Sequence, residues 1–220
     1  MHKVLIAALL ILAPLTAYSD NWVFGVYLDN KRIGEHRFDV VRNVDESSVS
    51  VVSRADFTVK VLLVPVFRYS HVANETWRDG CLSAIDSRTQ VNGKESSLVG
   101  RLVDAGFELE MSDEKGLRHD TLPACVASFA YWDVDTLRSH DRLLNSQTGS
   151  YQQVGSNAVR VDAAGRELLE LRGNKFQIDV SYRDSDWHWL GLSTTTDGGR
   201  ALQYRLESAL PAEAFTLSAR

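Results

Sequence analysis

Residues 49–61 read VSVVSRADFTVKV, and this stretch decides the fold class. Every second side chain in it is small or apolar, namely Val49, Val51, Ser53, Ala55, Phe57, Val59 and Val61. Charged side chains, among them Arg54 and Lys60, fall on the alternate positions. Because successive side chains of a β-strand point to opposite faces of a sheet, this pattern predicts a long strand with one buried face, and it predicts that Arg54 and Lys60 point to solvent.

The same period of two continues outward along the chain, in residues 22–28 and 176–182. No stretch of comparable length after the N-terminal leader keeps the 3.6-residue period of a helix. Short turn sequences such as Asp29-Asn30, Asp79-Gly80 and Asn92-Gly93 separate the strands, and connections of this length join antiparallel strands. We therefore predict an all-β protein, a large and strongly curved antiparallel meander sheet of about ten to twelve strands that forms an open half-barrel or a barrel.

One segment, residues 122–151, does not alternate in this way. Asp133 or Asp135 is suited to cap a short helix running toward Arg142, so we expect one short helical or irregular crossover that covers the sheet. The segment contains no flexible linker. A single β domain over residues 20–220 is therefore expected.

Residues 1–19 are typical of a signal peptide. Lys3 is followed by an apolar run over residues 4–15, and small residues at Ala17 and Ser19 mark a cleavage site. The run is shorter than the roughly 18 to 20 residues that span a bilayer, so we predict a periplasmic protein with no transmembrane span once the leader is removed. The full chain carries a net charge of −5, which offers no attraction to nucleic acid.

The two cysteines, Cys81 and Cys125, both lie in the exported part of the chain. In an oxidising compartment two cysteines of one domain usually pair, so a disulfide is predicted, with a stabilisation of about 3 to 4 kcal/mol. A buried free thiol and a catalytic thiol are the alternatives. Neither cysteine lies in a CxxC motif or has a histidine close in sequence, which disfavours the catalytic alternative.

Three segments, WRDGCL at residues 77–82, FAYWD at 129–133 and LLNSQTG at 143–149, resemble the domain of unknown function 6134 family of uncharacterised secreted Gram-negative proteins. The likeness extends from Trp22 to Leu206. Ser146 and Ser150 stand where that pattern usually has proline and glutamate. The family is itself similar to a second uncharacterised envelope family of curved antiparallel sheets. The resemblance implies the same fold and an envelope location, and it implies no particular activity.

The candidate binding face is one strand face in residues 67–77. Its side chains are Phe67, Tyr69, His71, Ala73, Glu75 and Trp77. His71 and Glu75 are about 13 Å apart along such a strand, so they cannot hydrogen-bond each other. The face forms either a small-molecule pocket with aromatic walls or an ordinary set of cross-strand pairs.

Two further segments are weaker candidates. Trp187 and Trp189 flank His188 and would share one face of a strand, as a ligand platform or as ordinary sheet packing. Asn145 and Gln147 lie in a loop that either covers a binding site or only holds a turn.

The sequence lacks the motifs of several catalytic, metal-binding and phosphate-binding sites. The sequence contains no HExxH, CxxC, GxSxG or GxxxxGK pattern, so we assign no catalytic residue, metal ligand or cofactor. The function we favour is non-enzymatic binding of a hydrophobic or amphiphilic, lipid-like molecule in a curved sheet. A protein-interaction module that binds an envelope protein is the second hypothesis. The third is an enzyme that uses His71, or His140 beside Asp141, as a base.

Overall fold

The computed structural model describes residues 15–43, 47–61 and 64–217. Those residues form sixteen strands and one helix. The strands are β1 Leu15–Leu28, β2 Lys31–Asn43, β3 Ser48–Val61, β4 Val64–Arg78, β5 Cys81–Val91, β6 Lys94–Val103, β7 Gly106–Asp113, β8 Gly116–Leu122, β9 Ala127–Ser128, β10 Arg142–Leu144, β11 Tyr151–Gln153, β12 Gly155–Val161, β13 Glu167–Arg172, β14 Gln177–Tyr182, β15 Trp189–Thr195 and β16 Ala201–Leu217. The helix is α1, Val134–Ser139.

One antiparallel sheet dominates the fold. It has 13 strands in the order β12-β13-β14-β15-β16-β1-β2-β3-β4-β5-β6-β7-β8. Strands β1 to β8 form one half of the sheet and β12 to β16 form the other. The two halves meet where β1 pairs with β16. β8 and β12 are the two edges, and they do not pair with each other in the described part of the chain. The predicted antiparallel meander is confirmed in its open form, with slightly more strands than expected.

The alternation of residues 49–61 is confirmed in β3. Val51, Ala55 and Phe57 are buried on one face, and Arg54 and Lys60 are exposed on the other. Arg54 Nη1 lies 3.0 Å from Asp39 Oδ2 on the neighbouring strand. Tight turns join the strands where predicted. Asp29 and Asn30, for example, have φ of 48° and 65°, the positive values that a two-residue hairpin turn requires.

The segment between β8 and β12, residues 123–154, forms an insert that packs against one face of the sheet. α1 is capped as predicted, because the Asp133 side chain accepts hydrogen bonds from the backbone N–H groups of Asp135 and Thr136. The insert also contains a small sheet, in which β10 pairs with β9 in parallel and with β11 in antiparallel fashion. These strands of two or three residues were not predicted.

A disulfide and a backbone hydrogen bond attach the beginning of the insert to the beginning of β5. The Cys81–Cys125 disulfide is formed, with Cα atoms 5.0 Å apart, so the predicted pairing is confirmed. The backbone N–H of Leu82 donates to the carbonyl of Val126 at 2.8 Å.

The hydrophobic core lies between the insert and the sheet. The insert contributes Val126, Ala127, Ala130, Trp132, Val134, Leu137, Leu143, Leu144 and Val154. The sheet contributes buried residues from both halves, including Phe107 of β7 and Leu169 of β13. Strands far apart in the sheet order therefore reach the same insert, and the sheet curls around it.

Most of the leader predicted over residues 1–19 lies outside the described residues. Residues 15–19 belong to β1 and pair with residues 213–217 of β16. The cleavage after Ser19 stays a prediction. Among the helices in the described ranges, none is long and apolar enough to cross a membrane.

Candidate functional site

A cavity of about 320 Å³ lies between the insert and the inner face of the sheet. From the sheet and its turns, the wall comprises His36, Phe38, Val51, Ser53, His71, Ala73, Glu75, Phe176 and Ile178. From the insert, it comprises Ser128, Phe129, Tyr131, Trp132, Asn145, Ser146, Gln147 and Gln152.

Small side chains leave the space for this cavity. Ser53 of β3 lies opposite Ala73 of β4, and Phe38 of β2 pairs with Ser53 from the other side. Two residues along these strands, on the same face of the sheet, Val51 lies opposite Glu75. Because the side chains of β3 and β4 alternate between faces, two small residues in register create a gap between larger neighbours.

Glu75 joins the sheet to the insert. Its Oε2 accepts a hydrogen bond from Trp77 Nε1 at 3.0 Å, and its Oε1 accepts one from the Ser128 hydroxyl at 2.9 Å. Burial raises the pKa of the Glu75 carboxyl, and the two hydrogen bonds oppose that increase. The two donors hold the carboxylate in one orientation at the cavity wall.

His71 is the buried imidazole of β4. Its Nδ1 is 2.8 Å from Thr89 Oγ1, and its Nε2 is 3.3 Å from the Ser146 hydroxyl of the insert. Burial lowers the pKa of His71 to about 4, so the ring is neutral at pH 7. The Ser87 hydroxyl donates to the Ser146 carbonyl at 2.6 Å, which fixes the insert loop over the imidazole.

A second imidazole, His36 of β2, lies on the same wall. Its Nε2 is 2.7 Å from Ser53 Oγ, its Nδ1 is 3.3 Å from the Tyr204 hydroxyl, and the ring stacks on Phe38 at 4.1 Å. Burial lowers the pKa of His36 to about 3, and the nearby His71 lowers it further. His36 is therefore also neutral at pH 7.

The family model described as a domain of unknown function, DUF6134, matches residues 24–207. The chain belongs to this family. No curated protein matches the DUF6134 chain.

A solved structure is similar in fold. It is the crystal structure of a beta-barrel-like protein of domain of unknown function DUF1849 from Brucella abortus, with a TM-score of 0.60 and 9% sequence identity. The match covers 89% of this chain and 98% of that one. At this identity the likeness concerns the fold alone.

Four of the nine predicted binding residues line the cavity of the DUF6134 chain, namely His71, Glu75, Asn145 and Gln147. Trp77 and Trp189 are buried in the core outside the wall. Trp77 packs edge-on against Trp132, with ring centroids 5.7 Å apart. Whether any of the nine binds a ligand stays a prediction.

The other predicted aromatic residues lie away from the wall. Tyr69 stacks on Phe57 at 5.0 Å in a separate small cluster, and Phe67 is half-buried nearer the start of β4. The expected strand through Trp187 is wrong. Trp187 has φ of 56° in a turn before β15, so it does not share a strand face with Trp189. The Arg138 guanidinium lies 4.2 Å from the Trp187 ring centroid.

The loop that contains Asn145 and Gln147 holds a turn and lines the cavity; whether it covers a binding site stays a prediction. Asn145 Oδ1 accepts hydrogen bonds from the backbone N–H groups of Gln147 at 2.9 Å and Thr148 at 3.2 Å. This use of the side chain holds the turn. Asn145, Ser146 and Gln147 also form part of the cavity wall, so the loop covers the cavity.

Of the seventeen wall residues, five are sequence candidates, namely His71, Ala73, Glu75, Asn145 and Gln147. The twelve that were missed include His36, Phe38 and the insert residues Phe129, Tyr131 and Trp132. The segment FAYWD carries part of the family resemblance and lies in the crossover expected to cover the sheet, but its rings were not predicted to line a cavity. The expected crossover over residues 122–151 does cover the sheet, but the sequence does not show which of its side chains reach the cavity.

The third hypothesis named His140 as a possible base, and His140 lies at the disulfide. Its Nε2 is 3.5 Å from Cys125 Sγ. One ligand atom from each of Cys81, Cys125 and His140 lies within 4.8 Å of the others. With the disulfide closed, neither sulfur is the thiolate that binds a metal ion. This contact was not predicted, because Cys125 and His140 are 15 residues apart in the sequence.

Proposed function

We propose that the protein binds a hydrophobic or amphiphilic small molecule in the cavity between the insert and the sheet, without transforming it. The observation that carries the proposal is the wall, which combines five Phe, Tyr and Trp rings with polar side chains, among them His36, His71 and Glu75. The volume of about 320 Å³ lies in the range of roughly 300 to 1,000 Å³ that is typical of ligand pockets.

The polar groups support binding more than catalysis. His36 and His71 each face a serine hydroxyl, but the second nitrogen of each ring meets a tyrosine or threonine hydroxyl. A base that activates a serine works best when a carboxylate orients and stabilises its charged form. These neutral imidazoles are better suited to orient a ligand through hydrogen bonds.

We further propose that the protein acts in the periplasm. The charged start, the short apolar run and the small residues before Asp20 support export. The Cys81–Cys125 disulfide supports an oxidising compartment.

Ligand binding is tested with a substitution that fills part of the cavity from the sheet side. Ala73→Leu places a larger side chain into the gap opposite Ser53. The matched control is Val72→Leu, on the exposed face of the same strand. The probe is N-phenyl-1-naphthylamine, a neutral dye whose fluorescence increases in apolar surroundings.

The wild-type protein and Val72→Leu should bind the dye with equal affinity, and Ala73→Leu should bind it at least about tenfold more weakly, a change of roughly 1.4 kcal/mol. Thermal unfolding of each variant checks that the fold persists. Equal dye affinity in Ala73→Leu and Val72→Leu would contradict the proposal.

The interaction-module alternative also has an observation in its favour. β8 and β12 are sheet edges, and Leu117 on β8 and Val161 on β12 are exposed. An exposed edge can pair with a strand of another chain. Failure of dye binding in the wild-type protein would favour this alternative.

A further inference from the structure

We infer that the cavity selects amphiphiles whose polar end is a cation, such as an amine or a quaternary ammonium group, over those that end in a carboxylate or a phosphate. This inference rests on the proposed function, because it names the class of ligand for the same cavity. Three features of the wall, as formed by the described residues, lead to it: the absence of basic side chains, the free acceptor capacity of one carboxylate, and the aromatic rings that share the cavity with that carboxylate.

The first feature is the charge of the wall. Among the described residues, no lysine or arginine lines the cavity. The guanidinium that lies 5.2 Å from the Trp132 ring centroid belongs to Arg42, and it is paired with Asp20. Both imidazoles of the wall are neutral at pH 7 because burial lowers the pKa of each. An anionic group would therefore lose its hydration without meeting a positive charge.

The second feature is Glu75. Each of its oxygens already accepts one hydrogen bond, from Trp77 or from Ser128. A carboxylate oxygen can accept more than one hydrogen bond, and Glu75 lines the cavity. Burial penalises the charged form of this group, so a cation placed beside it would relieve that penalty.

The third feature is the aromatic surface of the insert. Phe129 lies 6.0 Å from Tyr131 and 5.7 Å from Phe176, measured between ring centroids. All three rings line the same cavity as Glu75. Aromatic faces attract cations through the ring quadrupole, and sets of aromatic rings recognise quaternary ammonium groups.

The experiment compares three ligands that share a ten-carbon chain: decyltrimethylammonium, decanol and decanoate. The affinity of each ligand is measured by its displacement of N-phenyl-1-naphthylamine from the wild-type protein, at concentrations below micelle formation. We expect decyltrimethylammonium to bind at least about tenfold more tightly than decanoate, with decanol between them. A decanoate affinity equal to or above that of the ammonium would overturn the inference.

Glu75→Gln tests the carboxylate itself, since glutamine can still accept from Trp77 and meet the Ser128 hydroxyl. The matched control is Glu108→Gln, which makes the same change in net charge at an exposed residue paired with Arg101. Glu75→Gln should weaken ammonium binding at least about fivefold and leave decanol within about twofold, and the control should change neither. An unchanged ammonium preference in folded Glu75→Gln would contradict the role of Glu75.

The outcomes separate the two proposals. If neither decanol nor the dye binds the wild-type protein, the proposed function fails and this inference fails with it. If they bind but the ammonium has no advantage, only the inference about charge fails. Should Glu75→Gln not fold, the order of the three wild-type affinities still decides the question.

Discussion

Trp77 supports the cavity from the core, whereas Phe129 forms part of its wall. Comparing Trp77→Ala with Phe129→Ala therefore distinguishes a loss of stability from a loss of binding. The Trp77 side chain is buried and packs against Trp132, so Trp77→Ala should cost about 3 to 5 kcal/mol of unfolding free energy. The change also removes the indole N–H that donates to Glu75. Leaving a buried acceptor with one donor fewer adds roughly 1 to 3 kcal/mol. Urea unfolding followed by circular dichroism measures the total.

Phe129→Ala is the companion variant, because Phe129 lines the cavity and is only half-buried. It should weaken binding of N-phenyl-1-naphthylamine by about 1 to 2 kcal/mol, since one aromatic wall is lost, and it should cost less stability than Trp77→Ala. Arg54→Ala, on the outer face, should change neither quantity by more than about 0.5 kcal/mol. The reasoning is refuted if Phe129→Ala leaves dye affinity unchanged, or if Arg54→Ala weakens it as much.

Three further predictions concern the disulfide, the leader and pH. Reduction of Cys81–Cys125 should lower Tm by roughly 4 to 12 °C, and two titratable thiols in freshly isolated, denatured protein would contradict the pairing. Intact mass of periplasmic material should correspond to a chain that begins at Asp20, whereas full-length protein in a carbonate-washed membrane fraction would exclude cleavage. The pKa of His71 is about 4 in the folded protein and about 6.5 when unfolded. The unfolded chain therefore takes up the proton first as the pH falls. The contribution of His71 to stability is complete above about pH 6.5 and should fall by roughly 3 kcal/mol toward pH 4. His71→Gln should show a smaller loss between pH 7 and pH 4.5 in urea unfolding, and an equal loss would show that other groups cause it.

The fold was predictable because its main signal is local. The alternation around Ser53 and Ala55, the Asp29-Asn30 turn and the Asp133 cap each concern neighbours in sequence, and each is confirmed. The short strands β9 to β11 were missed because two or three residues are too few to show a period. The Trp187 prediction failed because a turn with positive φ interrupts the alternation.

The site was predictable only in part because it depends on contacts across long sequence distances. His71 and Glu75 were correctly placed on one face of β4, but their partners Ser146 and Ser128 come from the insert. His36 was missed as a wall residue because nothing in its own strand identifies Ser53 and Tyr204 as its neighbours. The pairs with Ser146 and Ser128 follow from the packing of the insert against the sheet.

The most direct test of ligand binding in the cavity is a crystal structure of the protein with N-phenyl-1-naphthylamine bound. The dye should have ordered density between the insert and β2 to β4, in contact with Phe129 and Ala73. Density for the dye at a sheet edge or on the outer face, with the cavity filled by water or by side chains, would contradict this prediction.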